Sequence, residues 1–135
     1  MPAPSIKISF LVLLLPSQTA FAEDNPSRLI PPARVDCSYD HLTSYTGKVV
    51  EYQRMADHTE LHIATDWGTL ETVRLPHTKQ KDSAALYLIE GKTFEPSDWQ
   101  RVEISPGRLQ QGVRAAAWVC SDNQLPVIDW LPPKE

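Results

Sequence analysis

The tightest constraint on the fold lies in residues 46–76, TGKVVEYQRMADHTELHIATDWGTLETVRLP. Within it Thr59, Leu61, Ile63 and Thr65 alternate with His58, Glu60, His62 and Ala64. Side chains alternate faces along a strand, so one face is apolar or Thr and the other carries the charge. That is the pattern of a half-buried strand in an antiparallel sheet. Met55-Ala56-Asp57 turns the chain before it. Asp66-Trp67-Gly68 turns it afterwards, with Gly68 free to take positive φ. Three strands result, over residues 47–54, 59–65 and 69–75, and Pro76 stops the last because it has no N–H for the ladder. In the first of them Val49 and Val50 are adjacent, which breaks the alternation and predicts a bulge or strong bend.

An insert occupies residues 77–107. Residues 84–89 are apolar and suit strand or helix. Glu90-Gly91 before Lys92-Thr93-Phe94 favours a small hairpin over 84–94; the rival is a short helix capped at Asp82 with Gly91 just past its end. Pro96 to Glu103 reads as one or two helical turns, with Pro early, Asp98 before Arg101, and Trp99 and Val102 spaced to share a face. Ser105-Pro106-Gly107 is a turn. A fourth strand follows over residues 112–121, with Val113, Ala115, Ala117 and Val119 on one face and Arg114, Ala116, Trp118 and Cys120 on the other. A fifth spans residues 126–131 and ends at Pro132-Pro133. Small apolar side chains on the first face of strand four suit the curved interior of a barrel.

Three meandering strands, an insert with a helix, and two more strands resemble the oligonucleotide/oligosaccharide-binding (OB) fold. The matching pieces are GKVVEYQ, ELHIATDWGTLETVRL and GRLQQGVRAAAWVCSD, and they span residues 46–130. The resemblance implies an all-β domain with one short helix: a five-stranded, partly open barrel with its insert between strands three and four. It is similar to small exported bacterial OB-fold proteins, and it implies a binding module more than an enzyme.

The N-terminus carries the marks of export. Lys7 is the only charge before Glu23, residues 8–15 are apolar, and Ala20-Phe21-Ala22 supplies the A-x-A pattern of a signal-peptidase site. A membrane-spanning helix needs about 20 apolar residues, so this run is too short to be one. Cleavage after Ala22 into the periplasm or medium is expected. An extended or disordered segment over 23–34, with Pro26, Pro31 and Pro32, would then precede one domain over 35–135. The two cysteines, Cys37 and Cys120, allow a single pairing in an oxidising compartment. No C-x-x-C spacing suggests a metal or redox site.

The chemistry-bearing residues cluster on the charged face of strands two and three. Glu60, His62, Trp67 and Arg74 are the candidate ligand-binding set, for a protein, a glycan or a small charged molecule. Trp67 at its turn either folds back on the barrel end or stands out as an anchor, roles that Trp fills equally well. His58 and His62 are the metal candidates of an alternative reading, a divalent-metal-binding envelope protein. Four residues apart on a strand they lie about 13 Å from each other, too far for one ion without a bend or a third element. His77, just after strand three, is a residue that the fold could bring near. No G-x-S-x-G, free cysteine or phosphate-binding glycine loop points to catalysis, and no cofactor is implied. A net charge of −4 argues against a phosphate backbone as partner. A single copy with no membrane span is expected.

Closing a loop as long as that between Cys37 and Cys120 stabilises by roughly 4–5 kcal/mol in the chain-entropy model. Reduction should therefore lower the denaturation midpoint sharply, and thiol labelling of the native protein should find no free thiol; two reactive thiols in the folded state would contradict the pairing.

Overall fold

Strand β1 sets the architecture because it changes partners along its length. A computed structural model describes residues 3–4, 30–77, 83–122 and 125–134. The expected export signal, most of the segment over 23–34, and the Asp82 cap of the rival helix lie outside these residues. Among those described, the strands are β1 (Leu42–Arg54), β2 (His58–Thr65), β3 (Leu70–Pro76), β4 (Tyr87–Ile89), β5 (Lys92–Thr93), β6 (Glu103–Ser105), β7 (Arg108–Leu109), β8 (Arg114–Cys120) and β9 (Val127–Leu131). One short helix, α1 (Trp99–Val102), follows a 3-10 turn at Pro96–Asp98.

Residues 42–48 of β1 pair with β8, and residues 47–54 pair with β2. Gly47 belongs to both ladders, opposite Thr65 on one side and Ala115 on the other. A Cβ there would overlap the carbonyl of Ala64 and lie 2.8 Å from the Thr65 Cα. The glycine is what lets β2 approach β1 at the crossing.

Val50 is the bulge that the adjacent valines predict: the register slips between Val49 and Glu51. One extra residue reverses the side-chain parity. Tyr45 and Val49 pack on the core before the bulge, and Tyr52 does so after it. Val50 itself is half exposed.

The sheet order is β3-β2-β1-β8-β9-β4-β5, antiparallel throughout except for the parallel β4–β9 pair. The expectation of an all-β fold with one short helix holds. The count of five strands is corrected: seven strands form one mixed sheet, β6 and β7 form a second small one, and among the described residues the large sheet does not close into a barrel. The extra strands come from the insert. There the hairpin reading is the observed one, since β4 and β5 pair across Glu90-Gly91, both at positive φ, after a 3-10 turn at Ser83–Leu86. Positive φ at both central residues suits a two-residue hairpin turn. The Gly91 N–H is held by both carboxylate oxygens of Asp129, at 3.0 and 3.1 Å. Ser105-Pro106-Gly107, expected as a turn, joins the β6–β7 hairpin.

Strand two has the burial that its alternation demands: Thr59, Leu61, Ile63 and Thr65 are buried, and His58, Glu60, His62 and Ala64 are half-buried. Leu61, Ile63, Val73, Leu75, Tyr87, Val102, Ile128 and Trp130 make the centre of the main core. Cys37 and Cys120 form the disulfide. Trp118 lies on the other face of β8, with Leu88 and Val127, and Val35 and Leu42 pack over it. The disulfide thus lays the N-terminal segment across Trp118, as the parity of strand four predicts.

Gly47→Ala should cost about 3 kcal/mol, the upper range for forcing atoms into a packed site. Here the obstruction is backbone, which cannot swing aside. A denaturation midpoint close to that of the parent would show that β1 and β2 can part at this point.

Candidate functional site

Three of the four predicted ligand-binding residues sit along the outer face of β2 and β3, and the fourth stands at the turn between them. Glu60 and Arg74 are cross-strand partners. His62 lies between two carboxylates: its Nε2 is 3.0 Å from Glu60 Oε1 and its Nδ1 is 3.2 Å from Glu51 Oε2. The hydrogen bond from His62 holds the Glu60 carboxyl below its usual range. Asp57 is lowered in the same way by His58, whose Nδ1 is 2.7 Å away.

The turn carrying Trp67 is tied down on all sides. Gly68 N–H donates to Thr65 O at 3.0 Å, and Thr65 N–H to Thr69 O at 2.8 Å. Thr69 N–H also donates to Thr65 Oγ1. Asp66 N–H donates to Thr46 O, and the Asp66 carboxylate takes a 2.6 Å hydrogen bond from Arg114 Nη2. That bond to Asp66 raises the Arg114 pKa further. On this rigid loop Trp67 is 61% exposed and Leu70 is 63% exposed. The choice left open in the sequence is resolved: Trp67 does not fold back onto the core.

The metal candidates do not converge. His58 is engaged by Asp57, and the two carboxylates beside His62 sit at opposite ring nitrogens. Among the described residues no group of three or more His, Cys, Asp or Glu is placed to hold an ion. The His77 backbone N–H bonds Asp57 O at 2.9 Å, but its ring turns to Thr59. Its Nε2 is 2.9 Å from Thr59 Oγ1, which also accepts from Tyr87 OH at 2.7 Å. Thr59 and Tyr87 are fully buried and His77 is half-buried. Burial pushes the Tyr87 hydroxyl up to about 12, against the lowering effect of its bond to Thr59.

The strongest electrostatic cluster lies elsewhere and joins residues that the sequence does not associate. Glu103 is buried, at the end of α1. It accepts from Tyr52 OH at 2.7 Å, from Arg54 Nη2 at 2.6 Å and Nε at 3.2 Å, and from Gly107 N–H at 2.8 Å. The Arg54 guanidinium also lies over the Trp99 ring, 4.1 Å from its centroid. Desolvation, then the bond to Glu103, drive the Tyr52 hydroxyl far above its ordinary range. Tyr52 and Arg54 face inward only because of the Val50 bulge; the Val49-Val50 pair was the available signal for it. With every oxygen occupied, the cluster fastens β1 to the α1–β6 segment and offers no group for chemistry.

A cleft of about 720 Å³ is lined by Glu90, Ser97, Gln100, Arg101, Gln110, Pro133 and Lys134. None of Glu60, His62, Trp67 and Arg74 lines it or the two smaller cavities. Trp67, Leu70 and Arg74 are exposed and Glu60 and His62 half-buried, so the candidate site lies at the surface. Comparison of the chain with protein-family models, with curated proteins and with solved structures gives no match.

Removing one member of a buried, hydrogen-bonded ion pair costs about 3–5 kcal/mol because the other charge stays buried. Arg54→Ala should therefore destabilise by that order. Arg54→Met combined with Glu103→Met should cost less than Arg54→Ala alone, and chemical denaturation of the two variants checks the order.

Proposed function

We propose that the protein is an exported, non-catalytic binding module of OB-like architecture, whose partner docks on the outer face of β2 and β3 around Trp67. The observation that carries the reading is the exposure of Trp67 on a turn fixed by five hydrogen bonds to and within it. A large aromatic held rigidly in water forfeits burial in the free protein and loses little freedom on binding, which is what an interface anchor needs. Leu70 extends the apolar tip, and Glu60, His62 and Arg74 supply a polar border.

The openness of the surface favours a macromolecule over a small molecule, since small ligands are bound in concave sites of roughly 300–1,000 Å³. Support for the OB-like reading comes from three features: the β1–β2–β3 meander, β1 shared between β2 and β8, and, among the described residues, one short α-helix between β3 and β8. The export reading rests on the A-x-A pattern after the apolar run, and the disulfide is compatible with it. Among the described residues no helix is long and apolar enough to cross a membrane.

The test is the pair of Trp67→Ala and Ile63→Ala, each read for stability and for crosslinking to the native partner in the cell envelope. Ile63→Ala should destabilise by about 2–5 kcal/mol through lost burial and a cavity. Trp67→Ala should leave stability within about 0.5 kcal/mol and weaken binding by about 2 kcal/mol or more. If Trp67→Ala keeps full affinity, the partner docks elsewhere.

A further inference from the structure

The free edge of the sheet gives the partner of this surface a chemical form. Among the described residues β3 has a neighbour on one side only, β2. At the two ends of that ladder Thr65 N–H bonds Thr69 O and His77 N–H bonds Asp57 O. In an antiparallel pair the bonded residues alternate, so the odd-numbered residues of β3 turn their N–H and C=O toward β2. Leu70, Thr72 and Arg74 therefore turn theirs outward, away from the sheet. Pro76, the next in that series, has no N–H to offer and closes the row. The same three residues expose their side chains, while Val73 and Leu75 are buried.

Edges of this kind invite a further strand unless blocked. The side chains along this one are not uniform. Leu70 and Trp67 make an apolar end. Arg74 makes a cationic end, and among the described residues it has no ion pair within 4 Å, its cross-strand neighbour Glu60 being hydrogen-bonded to His62. Leu70 and Arg74 share a face, about 14 Å apart by strand rise. We propose that β3 receives, by strand addition, an extended segment of a partner protein that carries an apolar residue opposite Leu70 and, four positions along on the same face, a carboxylate opposite Arg74. Three outward N–H and three outward C=O groups supply backbone affinity, and the two ends supply selectivity. Arg74 thereby selects an acidic strand over a second copy of this chain, which in a two-fold antiparallel pairing centred on Thr72 would set Leu70 against Arg74. The proposal rests on the binding-module reading and adds the nature of the bound segment.

The probe is a blocked synthetic peptide of alternating Thr and Val with Ile and Glu four positions apart on one face. Its controls are a Glu-to-Lys version and a version N-methylated at the amides that would face β3. Backbone hydrogen exchange followed by NMR should show the Leu70, Thr72 and Arg74 amides exchanging fast in the free protein and slowly with peptide. The Glu peptide should bind about threefold or more tighter than the Lys peptide, and Arg74→Glu should reverse that order. N-methylation should abolish binding. Thr72→Pro, which removes an outward N–H and no bond to β2, should weaken binding about tenfold; Leu70→Asp, which leaves the backbone intact, should weaken it as well.

Several results would overturn the proposal. One is slow exchange of these three amides in the free protein at every concentration, which would mean that the chain covers its own edge. Concentration-dependent protection without peptide would assign the edge to self-association. Binding indifferent to N-methylation, or no binding of the Glu peptide at about millimolar concentration, would also refute it. If Trp67→Ala loses the native partner while Thr72→Pro, Arg74→Glu and Leu70→Asp all keep it, the binding surface stands and strand addition fails.

Discussion

Everything in this fold passes through the crossing at Gly47. One residue pairs with Thr65 and with Ala115, and its missing side chain is the space that the Ala64 peptide occupies. Upstream of it β1 belongs to β8 and the disulfide-bonded face; downstream it belongs to the β2–β3 hairpin. Three residues later the Val50 bulge turns the strand over, so that Tyr52 and Arg54 reach Glu103. A close approach followed by a parity change lets a single strand organise the core on one side and a buried ion pair on the other. The exposed hairpin can then be stiff without being buried, since its turn is fastened to the crossing through Thr46 and to β8 through Arg114.

Local periodicity was the part of this structure most open to reading. The two-residue repeat of β2 identified its inner and outer faces, and adjacent valines marked the bulge. Prolines and glycines bounded most strands to within a few residues, but β1 begins at Leu42 and carries Gly47, its expected start, in its interior; the cysteines could pair in only one way. What was hidden depended on contacts far apart in sequence. Nothing near Tyr87 signals that β4 will lie parallel to β9, because β4 is three apolar residues whose pairing is decided by its neighbours in space. Strand count suffered from this, as a five-strand template had no place for the insert's own hairpin. Glu103 reads in the sequence only as the end of a short helix. Its partner Arg54 is distant in the chain, and only the bulge brings it to the inner side. Of the site, the outward set Glu60, His62 and Arg74 followed from parity alone. The exposure of Trp67 did not, because a turn residue has no repeat to orient it.

The division of labour between the charged groups is sharp. Glu103 and Arg54 spend their charge on each other, with Tyr52 and Gly107 completing the carboxylate's bonding and Trp99 lying under the guanidinium. Such a pair specifies how α1 and β6 sit on β1 more than it adds net stability. Glu51, Glu60 and His62, by contrast, meet at a surface where water competes for every contact. Buried polarity here fixes shape, and exposed polarity borders an apolar tip.

The position of β9 has a mechanical consequence. The covalent loop closed between Cys37 and Cys120 contains every described strand except β9, which begins at Val127. Yet β9 lies inside the sheet, antiparallel to β8 and parallel to β4, and carries the fully buried Ile128 and Trp130. It acts as a bolt slid between two plates that are already tied together. Tension applied between the two chain ends would stop at the disulfide and could not peel β1 or β8. Beyond freeing the few residues before Cys37, it would have to draw β9 out lengthwise, shearing both of its ladders at once and exposing the centre of the core.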